Sequence, residues 1–505
     1  MRFNYIPYYG MMRYIFTFVL ITIINFSFAQ QQTPLETSGY KQLTTYAQLI
    51  DYIKKFPSDK IRWEVEYFAR SVKGKDLPVI KFSKGEFGKD DGKLKVLLFA
   101  QQHGNEASGK EGALMLLGRI ASGELNYLFE KIDLALIPQM NPDGSDANTR
   151  RNGNNADLNR DHLILMQPEN IGLHTFFNKY KFDVSMDVHE YSPYSQSWFK
   201  YGYRKNSDVT LGTLTNCNIS PEMRAFSNSE YVPFIKKYIT DAGYSFAEYT
   251  PGGPPEIEYI RHSTYDINDG RQGFGSLATL SFIQEGINGR DSIHMIERRS
   301  KSQMAGMQGY LEFVYKNAVK IKEMVRAERE KIVNGYPAKI AVQMIHVKDG
   351  RKLEMPLFSL STNSDTVVTV VDYRPVVKAV TEVEKPAGYL IPEENKELLA
   401  WIKKHNMIYE NYTPEKNDAA EQYQIIKIDS TDFEGDIIID PALERRKLKA
   451  PEIRGNFILL PTNQLYGNII VQALEPKSHI GLATYKPFES LVTAGTAYPV
   501  LRLIR

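Results

Sequence analysis

Between about Ser38 and Pro57 the segment "SGYKQLTTYAQLIDYIKKF" places apolar residues at helical spacing and predicts a helix with Thr44 as its N-cap. "WEVEYFARSVKGKDLPVIKFSK" (63–84) follows as two strand-like runs joined at "SVKGKD", the pattern of a hairpin. After it, apolar runs and helical patterns alternate. "LKVLLFA" (94–100), "IDLALIPQM" (132–140), "FDVSMDVHEY" (182–191) and "LATLSFIQEG" (277–286) read as buried strands. "SGKEGALMLLGRIASG" (108–123) and "PENIGLHTFFNKYK" (168–181) read as helices between them. Near-continuous apolar strands alternating with helices predict an α/β fold, a mostly parallel or mixed sheet with helices on both faces.

Residues 305–331 carry one long amphipathic pattern that breaks at "NGYP". Beyond it "AKIAVQMIHV", "DTVVTVVDYRPVVKAV", "YQIIKID" and "NFILLP" are strand-like, with a single helical stretch at about 393–405. This places a domain of residues 30–335 before a β-rich C-terminal domain of residues 336–505. At the other end, Arg2 and Arg13 precede "YIFTFVLITIINFSFAQ", whose small residues Ser27 and Ala29 have the spacing of a cleavage site. Roughly 15 apolar residues fall short of the ~20 a spanning helix needs. Residues 1–29 are therefore read as a signal peptide, with export to the periplasm or the extracellular space and no stable membrane anchor.

Composition adds two exclusions. The chain has 62 basic and 60 acidic residues in 505, a balance that gives no reason to expect a nucleic-acid partner. Its single cysteine, Cys217, allows no internal disulfide, so an exported fold must rest on its core or on a bound metal.

The chemistry lies at the ends of the four strong strands. "LKVLLFA" leads to His103 and Glu106; "IDLALIPQM" leads to "NPDG" and "TRRNGNNADLNRD"; "FDVSMDV" leads to His189; "LATLSFIQ" leads to Glu285. In open α/β sheets ligands bind beyond the carboxyl ends of the strands, so these residues converge on one edge. Two histidines and a carboxylate make a zinc ligand set that leaves a position for water. Such water needs a base, which Glu285 supplies, and a developing oxyanion needs a cation, for which Arg150, Arg151 and Arg160 are available. Glu190, next to His189, points to the opposite face by strand alternation and is read as structural. His162 and His174 lie near the site in sequence and are not assigned to the metal.

His103-Gly-Asn-Glu106, "NPDG" (141–144), "DLNRD" (157–161) and the later "DVH", in this order over roughly residues 40–330, resemble the zinc carboxypeptidase family. The lead-in "SVKGKDLPVIKF" is similar too, and the C-terminal region, with "VQALEPKSHIGLATY", resembles that of bacterial secreted members with a long accessory segment. The resemblance implies one zinc ion per chain held by His103, Glu106 and His189. It implies that Asn159 and Arg160 hold a substrate's terminal carboxylate, that Arg150 (with Arg151 as its rival) polarises the scissile carbonyl, and that Glu285 is the general base. For the family's mobile tyrosine, Tyr265 fits by spacing and Tyr249 is a rival. "FIQEG" around Glu285 and a short gap between Glu106 and His189 depart from the digestive members, which leaves the specificity pocket unassigned. The expected activity is hydrolysis of C-terminal peptide bonds in peptides with a free carboxylate. The alternatives are a zinc amidase or deacylase acting on acyl-amino acids or cell-wall peptides, and a non-catalytic binding protein on the same scaffold.

Overall fold

The computed structural model describes Met1, residues 32–55 and residues 61–504; apart from Met1, the segment read as a signal peptide lies outside the described residues. The first ten strands are β1 (Arg62–Arg70), β2 (Asp76–Ser83), β3 (Leu94–Ala100), β4 (Ile132–Ile137), β5 (Val184–Tyr191), β6 (Tyr203–Lys205), β7 (Val209–Gly212), β8 (Phe246–Glu248), β9 (Ile260–Arg261) and β10 (Leu280–Ile287). Eight of them form one mixed sheet in the order β1-β2-β4-β3-β5-β10-β7-β8. The four strands β4, β3, β5 and β10 run parallel at its centre. Their side chains are buried on both faces, which is why their sequences are apolar runs without alternation. The β1–β2 hairpin joins antiparallel at one edge, and β7 pairs antiparallel with β10 on the other side.

Two apolar clusters sandwich this sheet. One packs Val96, Leu98, Val184 and Met186 against the helices Ala107–Ala121 and Ile296–Lys316. The other packs Leu97 and Phe99 against Phe177 and Phe274, and continues without a break into Trp401, Tyr423 and Ile470 of the C-terminal region. That region contains β11 (Lys339–Val347), β12 (Leu353–Ser359), β13 (Ser364–Val370), β14 (Tyr373–Arg374), β15 (Val376–Glu384), β16 (Gly388–Pro392), β17 (Glu410–Asn411), β18 (Ala419–Phe433), β19 (Asp436–Lys449), β20 (Phe457–Pro461) and β21 (Leu501–Ile504). Six of these build a second sheet, β17-β20-β16-β21-β18-β19. Others reach back: β12 pairs with β6, and β14 with β9.

Three local expectations change. The first helix is Tyr46–Lys54, capped by Thr45 through a reciprocal bond with Gln48, not by Thr44. Thr44 instead gives its backbone N–H and its hydroxyl to the buried Glu111 carboxylate at 2.8 and 2.7 Å. The long pattern at 305–331 is two helices, Ile296–Lys316 and Ala318–Val333. They part at Asn317, whose backbone leaves helical angles while its side-chain amide donates to the Phe313 carbonyl at 2.9 Å. The run 365–380 is divided among β13, β14 and β15. Among the described residues no helix is long and apolar enough to cross a membrane.

Candidate active site

The loop after β3 turns sharply at Gln101, whose φ is +59°, and is braced by Gln101 Nε2 donating to the Gly104 carbonyl at 2.9 Å. Gly104 is required here: a Cβ would lie 2.0 Å from the backbone carbon of Gly144. This close approach seats the loop against the short helix Pro142–Ala147 and brings His103 and Glu106 to the sheet edge, just before the helix Ala107–Ala121 begins. β5 delivers His189 from the neighbouring strand, and β10 places Glu285 directly opposite His189 in register.

His103 Nδ1 lies 2.8 Å from Glu106 Oε1, His189 Nδ1 lies 3.0 Å from Glu106 Oε2, and the two Nδ1 atoms are 3.1 Å apart. All three side chains are buried, and one donor atom from each lies within 4.8 Å of the others. Behind each imidazole stands a carboxylate: Asp157 Oδ1 is 3.0 Å from His103 Nε2, and Asp187 Oδ1 is 2.9 Å from His189 Nε2. Asp157 holds the His103 Nε2 proton and Asp187 lies at ion-pair distance from His189 Nε2, so both Nδ1 atoms are turned inward, the arrangement that orients histidines on a metal. Two imidazoles and one carboxylate with nothing apolar between them fit a zinc ion.

The electrostatics follow from this packing. Burial alone would raise Glu106, but His103 and His189 outweigh it and hold its carboxyl well below the usual range. Asp157 is held low in the same way by His103, Arg150 and Arg160. Glu285 goes the other way: burial, reinforced by Glu106, pushes it up to about 7 against the pull of His189, His103 and Arg150.

Of the three arginines, Arg150 faces the cluster. Its Nε donates to Asp157 Oδ2 at 2.9 Å, and its Nη1 comes within 3.2 Å of His103 Nδ1. Arg151 turns outward to the Asn155 carbonyl. Arg160 ends the turn Leu158–Arg160, which Asp157 caps, and stays firmly cationic under the fields of Asp266, Asp157 and Asp269, which outweigh its burial. Asn159 accepts from the Gly270 N–H at 2.9 Å with its carbonyl oxygen and turns its amide nitrogen towards His189 Nε2 at 3.4 Å. The two tyrosines separate clearly. The Tyr265 hydroxyl donates to the Met344 carbonyl at 2.6 Å, and its ring packs on His346 and Phe433, within the core shared with the C-terminal region. Tyr249 lies in the fields of Glu285, Arg271 and Arg160, at the cleft, its hydroxyl raised chiefly by burial.

Glu190 is clamped by Arg299 at 2.7 Å and accepts from the Ser108 N–H. His162 and His174 form a buried chain, His174 to His162 at 3.1 Å and His162 to Gln102 at 2.9 Å, which ends on Asp187 through Gln102 Nε2 at 2.7 Å. Burial holds His162 down at about 3, so it is neutral. Sequence reasoning gave Asp157, Asp187 and Gln102 no role. Asp187 was within reach, since it stands two residues before His189 on the same face of one strand.

Residues 49–231 match the family model described as "Zinc carboxypeptidase". The chain is 24% identical over 461 residues to carboxypeptidase 2 of Trichophyton rubrum, an alignment covering 86% of this chain and 81% of that protein. It is 26% identical over 183 residues to carboxypeptidase M of Mus musculus, covering 32% and 40% of the two chains. Among solved structures it is similar to a metallo-carboxypeptidase from Burkholderia cenocepacia, with 18% identity and a TM-score of 0.42 over 55% of this chain and 71% of that one.

Proposed function

We propose that this chain, a member of the zinc carboxypeptidase family, removes C-terminal residues from peptides outside the cytoplasm, with one zinc ion per chain. The observation that carries the reading is the convergence of His103, Glu106 and His189, with Arg150 and Glu285 beside them. Zinc held by these three side chains supplies Lewis acidity, which lowers the pKa of a water and polarises a carbonyl.

The remaining work falls to this chain's own groups. Glu285, raised towards neutrality, accepts a proton from the attacking water and returns it to the leaving amine. Arg150, moored to Asp157, presents its guanidinium to the oxygen on which negative charge develops. Arg160 binds the substrate's terminal carboxylate, with the Asn159 amide beside it. Tyr249, in the fields of Glu285 and Arg160, closes on the bound end of the substrate, whereas the Tyr265 hydroxyl is committed to Met344. Residues 1–29 direct export.

The test is release of the C-terminal amino acid from an N-blocked dipeptide by the wild-type protein, the chelator-treated protein and Glu285→Gln. Turnover is expected only in the untreated wild type and is restored to the treated protein by zinc. Cleavage that survives both chelation and Glu285→Gln refutes the mechanism. Cleavage of N-acyl amino acids or muropeptides, with ordinary peptides untouched, replaces the substrate assignment by the amidase reading.

A further inference from the structure

Glu285 stands between two cross-strand neighbours, His189 on β5 and Thr210 on β7. Register partners share a face of the sheet, so Thr210 continues the row away from the metal ligands. Beyond it opens a cavity of about 280 Å³, lined among others by Thr210, Tyr249, Phe246, Lys205, Met355 and Pro356. One wall belongs to β7 and β8; the other is β12 from the C-terminal region. That region also holds the strand carrying Lys205, because Leu357 pairs opposite Lys205 in the β6–β12 ladder.

Lys205 is the unusual group in this wall. Its ammonium donates to the Thr250 carbonyl at 2.7 Å and lies 5.4 Å from the centre of the Trp198 ring. Among the described residues no carboxylate lies within ion-pair distance of it. The acidic side chains lining the cavity are engaged elsewhere: Glu248 pairs with His262 at 3.0 Å, and Glu354 accepts from Thr369 at 2.9 Å. An ammonium carries three donors, so two remain for a ligand. Burial lowers Lys205 to about 8, the Glu285 field opposing, which is the expected state of a cation short of a counter-charge.

We propose that this cavity receives the side chain of the substrate's C-terminal residue and that Lys205 selects an acidic one, glutamate or aspartate. This rests on the carboxypeptidase reading and gives it a substrate class. An apolar side chain would fill the Phe246 and Met355 walls but leave the ammonium unpaired, and a basic one would meet it as a like charge. A carboxylate satisfies the free donors in surroundings where a charged pair is stronger than in water.

The experiment is a panel of N-blocked dipeptides ending in Glu, Gln, Leu or Lys, read as kcat/KM for wild type, Lys205→Met and Met355→Trp. Wild type is expected to favour Glu over its isostere Gln by roughly ten- to a hundredfold, the worth of one hydrogen bond to a charged group, with Lys slowest. Lys205→Met abolishes the Glu preference while keeping turnover of the Leu substrate. Met355→Trp, filling the cavity from the C-terminal side, slows all four substrates relative to one ending in Gly. Glu no faster than Gln in wild type, with the dipeptides still cleaved, overturns the acidic pocket and leaves the carboxypeptidase reading intact. Release of no C-terminal residue from any substrate refutes that reading itself.

Discussion

Asp157 is the carboxylate that holds both His103 and Arg150, so Asp157→Asn tests the site most directly. Its Oδ1 faces His103 Nε2 at 3.0 Å and caps Asn159 at 2.9 Å, while its Oδ2 holds Arg150 Nε at 2.9 Å. Asparagine keeps the volume and, with its oxygen towards His103 and Asn159, turns a donor at the Arg150 donor. The His103 bond then drops from charge-assisted to neutral, from ~1.5–3 to ~0.5–1.5 kcal/mol. The Arg150 bond is lost, but that side chain is 45% exposed, so its share is largely screened. The net loss at His103 is about 1–1.5 kcal/mol before the weakened basicity of the ligand is counted. A roughly 10- to 100-fold rise in the zinc Kd follows, the usual range for such a partner. Competition with a fluorescent chelator measures it. At saturating zinc the variant is expected to retain a lowered kcat, because Arg150 is unmoored. A zinc Kd within twofold of wild type would refute the orienting role of Asp157.

In the proposed role Glu285 is a base only when ionised, and its pKa is raised from an ordinary 4.5 to about 7, so activity is expected to be lost as pH falls through the neutral range. An acid limb of kcat/KM at or below 4.5 contradicts this. Tyr249→Phe is expected to lower kcat/KM with little change in melting temperature. Tyr265→Phe is expected to do the reverse, costing about 0.5–1.5 kcal/mol through its lost bond to Met344; interchanged effects would return the tyrosine role to residue 265. Gly104→Ala forces a Cβ onto the Gly144 backbone and is expected to cost ~1–3 kcal/mol or more, so a metal-free variant that melts with wild type refutes the close approach. A chain ended at residue 335 strips the C-terminal side from a continuous apolar cluster and is expected to aggregate; a soluble, active fragment would show that the cluster is dispensable.

The central sheet was legible because β3, β4, β5 and β10 are apolar on both faces, so length and flanking polar residues sufficed to mark them. Chain order along those strands also put His103, Glu106, His189 and Glu285 on one edge. What sequence spacing could not supply was distance between segments. Tyr265 has the better spacing to Glu285, yet its strand-to-helix loop turns it into the shared core, while Tyr249 reaches the cleft from β8. Asp157 was visible within "DLNRD", but its partners His103 and Arg150 are set by the fold of the "NPDG" helix and the following loop. The cavity was hidden for the same reason. Its two walls come from parts of the chain that share no pattern.

The pairing of β12 with β6 also sets an order of events. Tyr203 and Lys205 wait for partners at Ser359 and Leu357, some 150 residues later in synthesis. Contacts of such separation form late, after their loop-closure entropy has been met. The metal ligands can therefore assemble on the central sheet before the cavity beside them has its second wall. A nascent or partly unfolded chain would then bring His103, Glu106 and His189 together with no means of choosing a substrate, and selectivity would arrive only when the last third of the chain docks.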